Sequence, residues 1–152
     1  MKGLDSLKAC AGSWRGTSRL HEAPGKHEDS PSTAAITPIL TGRFVRLDYS
    51  WVYQGAPQEG SLLIGYDKTA GNMTAHWIDS WHMSNKILAC EGAADDSDEL
   101  SVRGSYAAPP GPDWGWRTNI IANPPGGLRM VMYNISPEGQ EYLAVEASYT
   151  RA

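Results

Sequence analysis

Phenylalanine is almost missing from this chain: one Phe stands against six Trp and seven Tyr. Trp and Tyr combine apolar area with a polar handle that wants a partner when buried, so the bias suits a lined cavity or a half-wet surface. The preference of strands for aromatics accounts for part of it. Cysteine is scarce too. Cys10 and Cys90 are too few and too far apart for a disulfide framework or a metal knuckle, and two reduced thiols in the cytoplasm are expected. With no H-x-H and no C-x-x-C, neither a metal nor a cofactor is expected. No apolar run approaches the ~20 residues of a membrane-spanning helix. Met1-Lys2-Gly3-Leu4-Asp5 has no hydrophobic core of a secretory leader. Nothing hydrophobic precedes Leu7-Lys8-Ala9-Cys10, so it is not read as a lipoprotein cleavage box. Positive charge is in deficit: the net charge is −4 and the 13 Lys and Arg form no cluster, which leaves no footprint for nucleic acid.

What the chain does have is alternation. Its 152 residues, 41% hydrophobic and 20% charged, suit one folded domain over 1–152. Gly3 to Ala11 carries a weak helical period; beyond it, turn signals recur at close intervals. Gly12 to His21 alternates, with Trp14, Gly16, Ser18 and Leu20 on one face. Glu22 to Pro31, with its charges, two Pro and a Gly, reads as the longest loop. Ser32 to Leu40 is strand-like, but Pro38 cannot donate to a ladder and predicts a bulge or gap. Arg43 to Tyr53 gives the cleanest period of two, with Val45, Leu47, Tyr49, Trp51 and Tyr53 on one face.

Glu59 to Asp67, Asn72 to His82, Asn85 to Gly92, Glu99 to Tyr106, Trp114 to Ala122, Leu128 to Ile135 and Gln140 to Thr150 continue the series. Turns such as Pro124-Pro125-Gly126-Gly127 and Pro137-Glu138-Gly139 separate them. About ten strands in short succession, with no crossover helix, predict an all-β antiparallel up-and-down barrel with a short N-terminal helix. A barrel of that size can hold a ligand.

Gly12-Ser13-Trp14-Arg15-Gly16, following a short helix, resembles the G-x-W signature of the calycins, the lipocalin and fatty-acid-binding barrels. Gly65-Tyr66-Asp67, Trp77-Ile78-Asp79-Ser80-Trp81-His82 and Trp114-Gly115-Trp116-Arg117-Thr118, in that order, are similar to a bacterial lipocalin-like family of unknown function. The resemblance implies a barrel with an internal cavity and supplies no catalytic residue. Fatty-acid-binding barrels carry two helices between their first strands, for which Glu22 to Pro31 is too short. Haem-binding nitrobindins share G-x-W-x-G but continue with a glycine where this chain has Ser18. Their iron-ligating His lies near the C-terminus, and here no His follows His82.

The central stretch carries the candidate site. Read as a strand, Asn72 to His82 puts Trp77, Asp79 and Trp81 on one face and His76, Ile78, Ser80 and His82 on the other. A carboxylate between two indoles suits a pocket wall, where it could hold a proton or orient a ligand. It could equally accept an indole or Arg hydrogen bond and fix packing. His76 and His82 are ~20 Å apart along such a strand and cannot share a metal. They are read as outer-face residues, with His82 kept open as a strand end at the barrel mouth. Arg117 beside aromatics could recognise a carboxylate or phosphate, or pair with Glu146 or Asp79. Trp114 and Trp116 share a face, so either they or Arg117 point inward.

Met130 and Met132 read as core filler. Ser80 and His82 lack an Asp on their face, and no G-x-S-x-G occurs. Three functions follow: a binding barrel for a small, mostly apolar molecule with a polar end, held by Tyr49, Trp51, Trp77 and Trp81 and oriented by Asp79 or Arg117; an enzyme with Asp79 as general acid or base, assisted by His82 or Tyr66; or a structural or partner-binding domain with a filled interior. Binding a small molecule ranks first, and a homodimer is left open.

Overall fold

Alternating apolar residues leave a sheet with one apolar face to cover, and ten such segments are enough to cover it by closing into a barrel. A computed structural model describes residues 1–123 and 126–152. It shows α1 (Lys2–Ala9), β1 (Gly12–Ala23), β2 (Lys26–Ile39), β3 (Phe44–Tyr53), β4 (Ala56–Asp67), β5 (Asn72–Asp79), β6 (Leu88–Ala93), β7 (Glu99–Tyr106), β8 (Trp114–Asn123), β9 (Gly127–Ile135) and β10 (Glu141–Arg151). Each strand pairs antiparallel with its sequence neighbours, and β1 closes on β10. The expected ten-stranded up-and-down barrel with a short helix is the observed fold.

The two ends of the barrel differ. At the end where β1 begins, α1 buries Leu4 and Leu7 as a plug. Trp14 anchors the plug, its Nε1–H donating to the Cys10 carbonyl at 2.8 Å. The Arg151 guanidinium lies 4.6 Å over the Trp14 ring and donates to the carbonyls of Ala9 and Ala11. Gly16 is fixed by a close approach: a Cβ there would stand 1.8 Å from the Ser148 carbonyl oxygen of β10. The G-x-W-x-G stretch thus seals one end. The connections after β1, β3, β5, β7 and β9 gather at the other end, which has no helix over it among the described residues.

Four local expectations need correction. Glu22 to Pro31 is not a long loop: β1 and β2 continue to a tight turn at Pro24-Gly25, where Gly25 has φ +75°. The inward residues there are the small polar Ser30 and Ser32, and the outer face is charged, with Arg19 forked onto its cross-strand partner Asp29. That combination hides a strand from a hydrophobic pattern. Pro38 makes no bulge, since β2 stays in register with β3 from Thr33 to Ile39, and the other half of that expectation, a gap, is found on its β1 side. The β1 ladder ends at Ile36, so a residue without an N–H sits where β2 has no β1 partner to lose. The central strand stops at Asp79 rather than His82, and β6 starts only at Leu88. The Pro124-Pro125 turn lies outside the described residues.

Candidate functional site at the barrel mouth

Asp79 ends β5 by offering the backbone a better partner than the ladder. Its Oδ1 accepts the N–H of Trp81 and of His82, each at 2.8 Å, and so caps a turn. Its Oδ2 accepts the Tyr49 hydroxyl at 2.6 Å and the Trp51 indole N–H at 3.3 Å. Tyr49 in turn accepts the Trp77 indole N–H at 2.9 Å. The carboxylate is 2% exposed, and four protein donors occupy it. Burial, and then the neighbouring Asp79 charge, hold the Tyr49 hydroxyl well above the ordinary tyrosine range.

Gly60 makes this reach possible. It stands between Tyr49 and Asp79 in the β3–β4–β5 register. A Cβ on Gly60 would lie 2.3 Å from the Tyr49 ring and hydroxyl, so the ring crosses β4 where a side chain is missing.

The Asp79 turn resets the alternation. Trp81, expected inside, goes to the rim and is 39% exposed. His82, expected on the outer face unless the strand end intervened, turns inward. Its half-buried ring stacks on Trp51 at 5.6 Å and meets Trp81 edge-on at 4.7 Å, with Trp116 at 5.1 Å and Trp77 at 5.7 Å. Neither ring nitrogen bonds to protein among the described residues. Burial pushes the His82 pKa below its ordinary value, against an opposing pull from Asp79, so the ring is neutral near pH 7.

Trp116 lies against Trp77, the rings 4.9 Å apart and 13° from parallel. Trp116 is 6% exposed, and its indole N–H is buried with no hydrogen-bond partner. Directly across the β8–β9 ladder stands Asn134, whose Oδ1 accepts the Tyr106 hydroxyl. Its amide nitrogen has no protein acceptor among the described residues.

The open space lies above this layer. A mouth cavity of about 670 Å³ is lined by Trp81, His82, Trp114, Trp116 and Tyr142, among others. A side cavity of about 220 Å³ extends past Met83 and Tyr106. Below His82, among Tyr49, Met130 and Met132, only about 10 Å³ remains, room for one water at most. The barrel is packed beneath His82 and hollow above it.

The sequence-predicted residues therefore separate. Tyr49, Trp51, Trp77 and Asp79 form one buried network under the cavity, and Trp81 stands at the rim. His76 and Ile78 point out, as expected. Trp116 faces inward and Trp114 the mouth, so Arg117 faces outward. Arg117 forks onto Glu141 at 2.8 Å and lies 4.3 Å over Tyr133, pairing with neither Glu146 nor Asp79. It cannot orient a ligand at the mouth. Tyr66 sits near the opposite end, beside Met1 and Asp95, and cannot assist Asp79. Asn134 and Tyr142 were missed. Asn134 shares the inward parity of Met130 and Met132, a signal that was present.

The sequence pattern of the family described as "Protein of unknown function (DUF1579)" matches residues 4–151. The chain belongs to the DUF1579 family. No curated protein matches it. Among solved structures, this DUF1579 chain is similar to Rv2717c from M. tuberculosis, with a TM-score of 0.65 and 13% identity over 100% of this chain and 98% of that one. It is also similar to the S-type phycobiliprotein lyase CPES from Guillardia theta, with a TM-score of 0.63 and 12% identity over 100% and 93%. At these identities the likeness is one of fold. No helix among the described residues is long and apolar enough to cross a membrane.

Proposed function

We propose that this chain is a binding barrel for a small, mostly apolar molecule with a polar end group, held at the open mouth rather than deep in the lumen. The observation that carries the reading is the 670 Å³ cavity walled by Trp81, Trp114, Trp116 and the neutral His82 ring. Apolar walls with a few convergent polar groups are the usual make-up of a ligand site. The Asp79 network supports the floor of that site and does not touch the ligand. Both carboxylate oxygens are already engaged by protein donors, which counts against Asp79 as a general acid or base. The lipocalin-like motifs fit the same reading, and two free buried thiols fit a cytoplasmic setting.

A neutral fluorescent probe of apolar sites, N-phenyl-1-naphthylamine, tests the proposal. Saturable enhancement of its emission, with energy transfer from tryptophan and weaker binding to Trp81→Ala, is the expected result. Absence of saturable binding to the folded protein would overturn it.

A further inference from the structure

We infer that the ligand class is an uncharged, flat aromatic compound carrying a carbonyl oxygen, taken by the Asn134 amide and the Trp116 indole N–H; this rests on the mouth being a binding site.

Charge comes first. No Lys or Arg lines the mouth cavity among the described residues. The ionisable groups that do line it are already matched. Glu22 pairs with Lys26 at 3.4 Å, Glu141 with Arg117, and His21 with Glu146 at 3.0 Å. His82 is neutral near pH 7. A carboxylate or phosphate entering this cavity would shed its hydration and find no cation in exchange. Anions are therefore disfavoured, and so is the acid-recognition role that Arg117 suggests when read as facing inward.

Hydrogen-bonding capacity comes next. Apart from the His82 ring, whose two unbonded nitrogens offer one donor and one acceptor, the unspent groups at the inner wall are donors. The Trp116 N–H is buried without an acceptor. The Asn134 oxygen accepts from Tyr106, and its two N–H groups meet no protein acceptor among the described residues. The two residues face each other across the β8–β9 ladder and line both the mouth and the side cavity. A buried donor without a partner costs free energy, and a ligand oxygen that supplies the partner recovers it. A ligand offering only donors, such as an arylamine, would leave both groups as they are.

Shape comes last. The surrounding side chains are aromatic rings: Trp116 backed by Trp77, the His82 ring, and Trp114 stacked on Tyr142 at 6.2 Å. Flat partners suit flat walls.

Three tricyclic or bicyclic probes separate the terms: 9-fluorenone, its carbonyl-free counterpart fluorene, and the anion 2-naphthoate. Binding is read by quenching of tryptophan emission and by calorimetry. The expected order is fluorenone at least ten-fold tighter than fluorene, with 2-naphthoate weakest. In Asn134→Leu and in Trp116→Phe, each checked for a native melting transition, the fluorenone-to-fluorene ratio falls toward one. Equal affinities of fluorenone and fluorene for the unaltered protein would overturn the carbonyl assignment while leaving the binding barrel standing. Tightest binding by 2-naphthoate would overturn the charge assignment in the same way. Failure of all three, together with failure of N-phenyl-1-naphthylamine, would overturn the binding reading itself.

Discussion

Replacing Asp79 by Asn tests the floor of the site, because the change keeps the shape and alters only the bonding capacity. An amide has one oxygen and one NH2 in place of two acceptor oxygens. If the amide oxygen stays on the N–H groups of Trp81 and His82, its NH2 faces two donors, the Tyr49 hydroxyl and the Trp51 indole. Tyr49 can accept from the amide, but its own proton then loses its acceptor, and the Trp51 N–H is left facing another donor. Turning the amide round moves the mismatch to the two backbone N–H groups. Removing a buried charge offsets part of the loss, and a net cost of about 1–3 kcal/mol follows from one or two buried groups left without partners. For a chain of this length that corresponds to a fall in the melting midpoint of about 3–10 °C. Thermal unfolding followed by circular dichroism and by calorimetry measures it. A midpoint equal to or above that of the unaltered protein would refute the reading of Asp79 as a structural anchor.

Gly60→Ala should cost about 1–3 kcal/mol, as overpacking does, because the added methyl meets the Tyr49 ring; chemical denaturation gives the value, and a neutral result would contradict the placement of Tyr49. The His82 pKa is lowered in the folded state, so the unfolded chain takes up its proton first as the solution is acidified. Stability from this group is therefore complete above about pH 6.5 and declines as pH falls through and below that value toward the folded pKa. His82→Gln should make the melting midpoint fall less steeply between neutral pH and pH 5 than in the unaltered protein. Burial raises both thiols, Cys90 to about 11, so Ellman's reagent at pH 8 should label neither in the folded protein and both in denaturant.

The fold was legible because nearly every strand carries an unbroken inward stripe. Val45, Leu47, Tyr49 and Trp51 are buried as their spacing requires. The strand that was missed, the first part of β2, buries serines, which give no hydrophobic signal. The site was half legible. Trp77 and Asp79 obey the alternation because they lie within β5, whereas Trp81 and His82 lie beyond it. The residue that breaks the pattern is Asp79 itself, capping the turn through its side chain. No period-two pattern can show that a side chain will prefer its own backbone to a ligand. Likewise, adjacent residues on a strand face opposite ways, so the sequence allows either Trp114 and Trp116 or Arg117 inside and does not choose between them.

The mouth cavity is the central claim, and the six tryptophans report on it individually. In a nitrogen-15 correlation spectrum each indole N–H gives its own signal. Titration with N-phenyl-1-naphthylamine should shift the signals of Trp81, Trp114 and Trp116 saturably, while Trp14, bonded to Cys10 at the plugged end, stays in place. Unmoved signals for those three, or a saturable shift of Trp14 alone, would contradict it.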